Sequence, residues 1–206
     1  MRTFPAAAGL ADQLPAIGVT PSPAALDELR GVCDLLDEAA YALTPADTCP
    51  DNNLLTPDGL VLLDFESASV RHVAWDAAYL DVPWPTCWCA WRLPEGVAAA
   101  ASARWRTAVA AAVPAVATPG FDEALAVTAA AWAFVTTNWF LPRALTDNHT
   151  SAVRRAPSLR AVVQHRLAAA TVTPVLPALA GLAAETLDAT GRLWGAVPLP
   201  LAPAFR

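Results

Sequence analysis

An α+β chain, mostly helical and with one β-hairpin, is what the sequence predicts, on three observations. Alanine-rich segments around 97–113, 121–141, 159–171 and 174–190 are separated by Pro114, Pro119-Gly120, Pro142, Pro157 and Pro174, the punctuation of packed helices. Leu26, Leu29, Val32, Leu35 and Leu36 recur at helical spacing behind Ser22-Pro23, a cap followed by a residue suited to a first turn. Two short apolar runs, Asn53-Leu54-Leu55 and Leu60 to Phe65, flank Pro57-Asp58-Gly59, which reads as a hairpin turn.

In chain order, residues 1–19 hold Pro5, Gly9, Pro15 and Gly18 without periodicity and are expected to be an irregular lead-in. The amphipathic helix then spans Ser22 to Ala42 and ends at Thr44-Pro45. Hairpin, an irregular stretch to Val73, a short helix over Asp76 to Leu80 and a tryptophan-dense segment from Val82 to Pro94 follow, and the remainder is helical. Residues 20–206 are expected to form a single domain, since 206 residues suffice for one core.

Composition excludes several functions. Hydrophobic residues make up 55% and charged residues 16%, too apolar for disorder. A net charge of -6, with arginine as the only strong base and no basic stripe, argues against nucleic acid. Without lysine, neither a Walker loop nor the strand lysine of protein kinases is present in these residues. No Gly-x-Ser-x-Gly elbow marks a hydrolase, and His149 and His165 have no nearby nucleophile, so both read as ordinary surface or core residues. The uncharged stretch Ala124 to Leu141 reaches the lower limit of a membrane span, but its alanine, threonine and asparagine content favours a core helix, and no membrane is expected.

Chemistry concentrates in one stretch free of basic residues. Asp47 is followed five positions later by Asn52, and Asp64 ends the second run of the hairpin. Phosphoryl transfer needs an aspartate to orient the attacking hydroxyl and accept its proton, which suits Asp47. Magnesium takes oxygen ligands, which suits the carboxamide of Asn52 and the carboxylate of Asp64. The simpler readings stand beside this one: Asp47 as a turn cap, Asn52 and Asn53 as loop residues, Asp64-Phe65-Glu66 as a strand exit, and the tryptophans as core.

These residues resemble the aminoglycoside phosphotransferase and choline-kinase-like enzymes, whose loop commonly reads His-Gly-Asp-Leu-His-Pro-Gly-Asn, followed by Ile-Asp-Trp-Glu and a Tyr-Asp-Leu-Ala helix. Here stand Pro45-Ala46-Asp47-Thr48-Cys49-Pro50-Asp51-Asn52, Leu62-Leu63-Asp64-Phe65-Glu66 and Trp75-Asp76-Ala77-Ala78. The resemblance covers roughly residues 20 to 95 and, by order of elements, the helical remainder. It implies the C-terminal lobe of a protein-kinase-like fold, ATP and Mg2+ as cofactors, a small-molecule hydroxyl as acceptor, and Asp76 as a structural brace of the loop. Pro45-Ala46, Cys49 and Arg71-His72 depart from the family pattern at His-Gly, the second histidine and Gly-Asp. Only 46 residues precede Asp47, so the nucleotide-gripping N-terminal lobe is expected to be absent from these residues. A partner supplying that lobe, a homodimer, or a non-catalytic pseudokinase or helical interaction module are the readings that follow.

The four cysteines, Cys33, Cys49, Cys87 and Cys89, are expected to be reduced thiols in a cytoplasm, since Pro5, Asp12 and Pro15 interrupt any secretory leader. Zinc on Cys87 and Cys89 with His72 or Cys49 is the alternative, against which the Cys-x-Cys spacing counts.

Overall fold

The computed structural model describes residues 3–146 and 156–206, apart from the side chain of Phe4. It is mostly helical with two small two-stranded sheets. His149 lies outside the described residues.

The expected irregular lead-in is instead a helix, α1 (Thr3–Gln13), followed by a 3-10 turn at Leu14–Ile17. Pro5 sits in the first turn, where the N–H groups have no intrahelical acceptor, and therefore interrupts nothing. Gly9 is a site of close approach, for a Cβ there would lie 2.0 Å from Asn138 Oδ1. Only Gly18, at φ 77°, ends the segment as a glycine normally does. Ala6, Ala7, Leu10 and Leu14 are buried, so residues 3–19 hold part of the core rather than leading to it.

Helix α2 (Pro23–Gly31) starts as expected, with Ser22 Oγ accepting from Ala25 N at 3.1 Å, but it does not run to Ala42. Leu36 and Asp37 are extended, the Asp37 carboxylate caps a new turn at Ala39 N (2.9 Å), and the chain enters strand β1 (Tyr41–Thr44). The stretch expected to be irregular up to Val73 likewise contains a strand, β4 (Ser69–His72), antiparallel to β1 with Tyr41 opposite His72 and Thr44 opposite Ser69. Between them lies the hairpin of β2 (Asn53–Thr56) and β3 (Gly59–Leu62), which turns at Pro57-Asp58 as the sequence predicts, with Gly59 at φ 127°. The β1–β4 ladder thus clamps both ends of an excursion over 45–68 that carries the loop and the hairpin.

Short α3 (Ala74–Ala77) begins two residues earlier than expected, and the tryptophan segment leads to α4 (Glu95–Val109), α5 (Gly120–Thr146), α6 (Leu159–Ala170) and α7 (Pro177–Trp194). Helix α5 is the central element, with α1, α3 and α6 against it, and α7 lies on α6 and α2. It passes through Pro142, which the sequence reading took as a separator. Leu141 and Ala144 on either side are fully buried, and their burial offsets the roughly 3 kcal/mol that an interior proline costs. Among the described residues α5 alone is long and apolar enough to cross a membrane, yet it is largely buried in the fold. Its threonines are satisfied internally: Thr128, Thr136 and Thr137 donate to carbonyls one turn back at 2.7–2.8 Å. This is the core helix that its composition predicts.

Two charged side chains are spent on backbone. Glu28 of α2 accepts from Ala178 N (3.1 Å) and Leu179 N (2.8 Å), placing a carboxylate on the N-terminus of α7 where the helix dipole favours an anion. Fully buried Arg166 of α6 donates to the carbonyls of Pro83 (3.0 Å), Trp84 (3.3 Å) and Pro85 (3.5 Å) and lies 5.5 Å from the Phe140 ring. Burial lowers its pKa to about 9, so it is still cationic at neutral pH and fastens the tryptophan segment to the helical layer. His165, next to it, is partly buried and reads as a core residue.

His72 is buried, its Nδ1 accepts from Ala74 N (3.2 Å), and its ring packs against Tyr41 and Phe121. Burial depresses its pKa below the ordinary 6.5, and burial does the same to His165. Below pH 6.5 the unfolded chain therefore takes up protons that the folded chain refuses, and stability falls as pH drops toward the folded values. Urea midpoints should decline between pH 7 and 5.5, and His72→Phe, which keeps the ring stack, should show a shallower decline that leaves the His165 part. An equally steep decline in the variant would contradict this.

Candidate functional site

The loop after β1 reverses direction at Ala46, which has φ 66°, a conformation that costs a non-glycine residue about 1–2 kcal/mol. The Ala46 carbonyl explains why the fold tolerates it. It accepts from Arg71 Nη2 (3.0 Å) and from the Tyr79 hydroxyl (3.1 Å). Arg71 also donates to Thr44 Oγ1 (3.0 Å) and is ion-paired with Asp76. Arg71 and Asp76 are only 16% and 9% exposed, so this pair is close to a buried one. Asp76, expected to brace the loop, reaches it through Arg71, a residue the sequence reading noted only as a departure from the family pattern.

Asp47 follows Ala46 and is half-buried. Its Oδ1 accepts from Cys49 N (3.2 Å), the turn-capping role that the simpler reading gave it, and also from the Thr86 hydroxyl (2.6 Å). Tyr79 and Thr86 oxygens are 2.9 Å apart, so the loop carbonyl, the two hydroxyls and the aspartate lie in one row, in which two hydroxyl protons serve two of the three contacts at a time. Neither Tyr79 nor Thr86 had a sequence signal, because their helical turn and their tryptophan segment meet the loop only in the folded chain.

Asn52 connects the loop to the hairpin. Its Nδ2 donates to the Asp47 carbonyl (3.1 Å), while its own carbonyl accepts from Leu63 N (2.8 Å). The second bond extends the β2–β3 register by one pair and sets Asp64 one residue beyond the junction. Asp64 is exposed and is itself left-handed at φ 59°, a region that aspartate tolerates better than most residues. Among the described residues no hydrogen bond engages Asn52 Oδ1, which leaves an amide oxygen and the Asp64 carboxylate as hard donors of the kind that magnesium takes. Asn53, whose Nδ2 donates to the Cys49 carbonyl at 2.7 Å, is a loop support.

Two surfaces adjoin this junction. An apolar groove of about 690 Å³ is walled by Pro45, Thr48 and Pro50 of the loop, Asn53 and Leu62 of the hairpin, Asp76 and Tyr79 below, and Trp84 and Trp105 at the side. Its size fits a small organic molecule. Asp47, Asn52 and Asp64 are not in its wall; Thr48 and Asn53, next to the first two, are, and Leu62 is the nearest wall residue in sequence to Asp64. The hairpin itself is apolar and exposed on both faces, Leu55 by 82%, with Leu54, Leu60, Val61, Leu63 and Phe65 around it.

The reading of all four cysteines as reduced thiols does not hold. Cys49 and Cys87 are joined in a disulfide, and Cys89 Sγ lies 2.8 Å from Cys87 Sγ. The contact between loop and tryptophan segment that brings Thr86 to Asp47 also brings Cys87 to Cys49, 38 residues away in sequence.

Asp76→Asn should destabilise the protein by ~3 kcal/mol, since it leaves Arg71 nearly buried without its counter-charge. The double variant Arg71→Met with Asp76→Leu should lose less, because no charge is left stranded, yet amide exchange over 46–52 should quicken in both. Unchanged exchange in the double variant would show that Arg71 does not hold the loop.

Compared with known proteins, the chain matches no family model and no curated protein.

Proposed function

We propose that this chain is the large lobe of a phosphotransferase that moves the γ-phosphoryl group of ATP to a hydroxyl of a small molecule, in the cytoplasm, with the nucleotide-gripping lobe supplied from outside the described fold. The observation that carries this reading is the Asn52 junction, which ties the Asp47 loop to the strand end bearing Asp64.

Asp47, held through Oδ1 by Cys49 N–H and the Thr86 hydroxyl, orients the acceptor hydroxyl and takes its proton as the new phosphorus–oxygen bond forms and the bond to the nucleotide breaks. Asn52 and Asp64 would hold Mg2+, which when bound neutralises charge on the phosphate oxygens. Asp76 and Arg71 keep the loop in place without touching substrate. The groove beside the loop suits the apolar body of an acceptor, its walls carrying Thr48 and Asn53 toward the junction.

A second reading, a non-catalytic pseudokinase or helical interaction module, is favoured by the exposed apolar hairpin, because apolar surface of this kind marks an interface. In that case the partner is a second copy or a lobe-bearing protein.

Calorimetric titration with a non-hydrolysable ATP analogue separates the two. With the gripping lobe outside this fold, phosphotransferase chemistry predicts weak nucleotide binding by the chain itself that is seen only with Mg2+, drops roughly tenfold or more in Asp64→Ala, and persists in Asp47→Asn, whose carboxylate acts on the acceptor hydroxyl. Binding that ignores Mg2+ or Asp64 would refute it. The module reading predicts no nucleotide binding and self-association that Leu55→Asp abolishes.

A further inference from the structure

Cys49, Cys87 and Cys89 are all buried, and their three sulfurs lie within 4.8 Å of one another. We propose that these cysteines form a site for one thiophilic divalent cation, zinc being the physiological case, which opens when the Cys49–Cys87 disulfide is reduced. Zinc–sulfur bonds of about 2.3 Å in a tetrahedron set sulfurs roughly 3.8 Å apart, a spacing this cluster reaches by a small relaxation once the sulfur–sulfur bond is gone.

The sequence counted against such a site because Cys87-Trp88-Cys89 is a short spacing with no second pair. The fold supplies the third donor from the loop. Cys49 is placed by its neighbours, its N–H on Asp47 Oδ1 and its carbonyl accepting from Asn52 N (2.8 Å) and Asn53 Nδ2 (2.7 Å). The Cys89 N–H lies on Cys87 Sγ at 3.5 Å, the kind of backbone donor that supports a thiolate. Trp84, Trp88 and Trp91 pack around the sulfurs, and an apolar wall favours thiolates neutralised by a cation over bare ones. Among the described residues the group has three members, so a tetrahedral ion keeps its fourth position for water or an outside ligand. Soft sulfurs here and hard oxygens at Asn52 and Asp64 select different ions, so this site does not compete for magnesium.

The steps balance. A cellular dithiol reduces the disulfide, giving up two electrons and two protons and becoming a disulfide itself. The two thiols so formed and the thiol of Cys89 bind the cation as thiolates and release three protons. In a reducing compartment a disulfide of this kind is transient or sensing, so the loop is tied to the tryptophan segment by a covalent bond in one state and by a metal in the other.

The test uses the whole chain, reduced with a phosphine and handled without oxygen. Equilibrium dialysis should find one Zn2+ per chain, and Co2+ should give sulfur-to-cobalt charge-transfer absorption. Cys33→Ser should bind as the wild type does, whereas Cys49→Ser and Cys89→Ser, their helicity checked by circular dichroism, should bind roughly 100-fold more weakly or worse. Re-oxidation of the wild-type sample, which needs no substitution, should expel the ion. Absence of binding in the reduced protein, undiminished binding in Cys89→Ser, or retention after re-oxidation would each overturn the proposal.

Discussion

The Ala46 carbonyl is the point on which the candidate site depends. Two donors from different elements converge there, Arg71 at the end of β4 and Tyr79 beyond α3. Without them the left-handed turn at Ala46 would relax toward ordinary backbone and carry Asp47 with it. The donors are themselves fixed: Arg71 by its pair with Asp76, and Tyr79 by packing against Trp132 on α5, whose indole N–H reaches the Trp75 carbonyl at 3.0 Å. Strain in one residue of the loop is therefore balanced by the packing of the central helix.

That dependence explains the division of labour between the two sheets. The β1–β4 ladder is anchored at its base, where His72 is buried between aromatic rings, and it returns the chain to the core after 24 residues of excursion over 45–68. The β2–β3 hairpin has no such anchor, and a lone two-stranded hairpin is marginal in water. Its position comes from the loop side, through Leu63 N on the Asn52 carbonyl. Asp64 is in turn placed by Asn52.

The helices and the hairpin were legible because their signals are local: apolar spacing behind Ser22-Pro23, alanine-rich runs between prolines, and a turn tripeptide between two apolar runs. Boundaries were less so. Pro5, Gly9 and Pro142 look like breakers in sequence, yet one sits in a first turn, one faces Asn138 closely, and one lies in a helix whose flanks are buried. The strands at 41–44 and 69–72 were missed because four-residue strands separated by 24 residues carry no pattern of their own. At the candidate site, Asp47, Asn52 and Asp64 stood out by type and spacing, and Asp76 through the family resemblance. Arg71, Tyr79 and Thr86 did not, since what they do is set by contacts 5 to 39 residues away. The sulfur cluster was half visible, as a Cys-x-Cys with either His72 or Cys49 for a third member, a choice that the fold makes in favour of Cys49.

Hard and soft donors alternate along the 47–52 loop, and this gives its two sides different duties. The Asp47 backbone carbonyl meets Asn52 at the hairpin junction, while the Asp47 carboxylate and Cys49 face the tryptophan segment, at Thr86 and Cys87. A loop whose middle residue is bonded into the tryptophan segment has little freedom to shift its ends. Arg166, holding three consecutive carbonyls of that segment from α6, extends the same restraint into the helical layer. Any change in the bonding of the sulfurs is thus passed to Asp47 by two routes, through the Cys49 N–H and through Thr86, whose neighbour is Cys87. The bonding of the cysteines and the placement of the aspartate are coupled, because Cys87 and Thr86 are neighbours in the segment that meets the loop at Cys49 and Asp47.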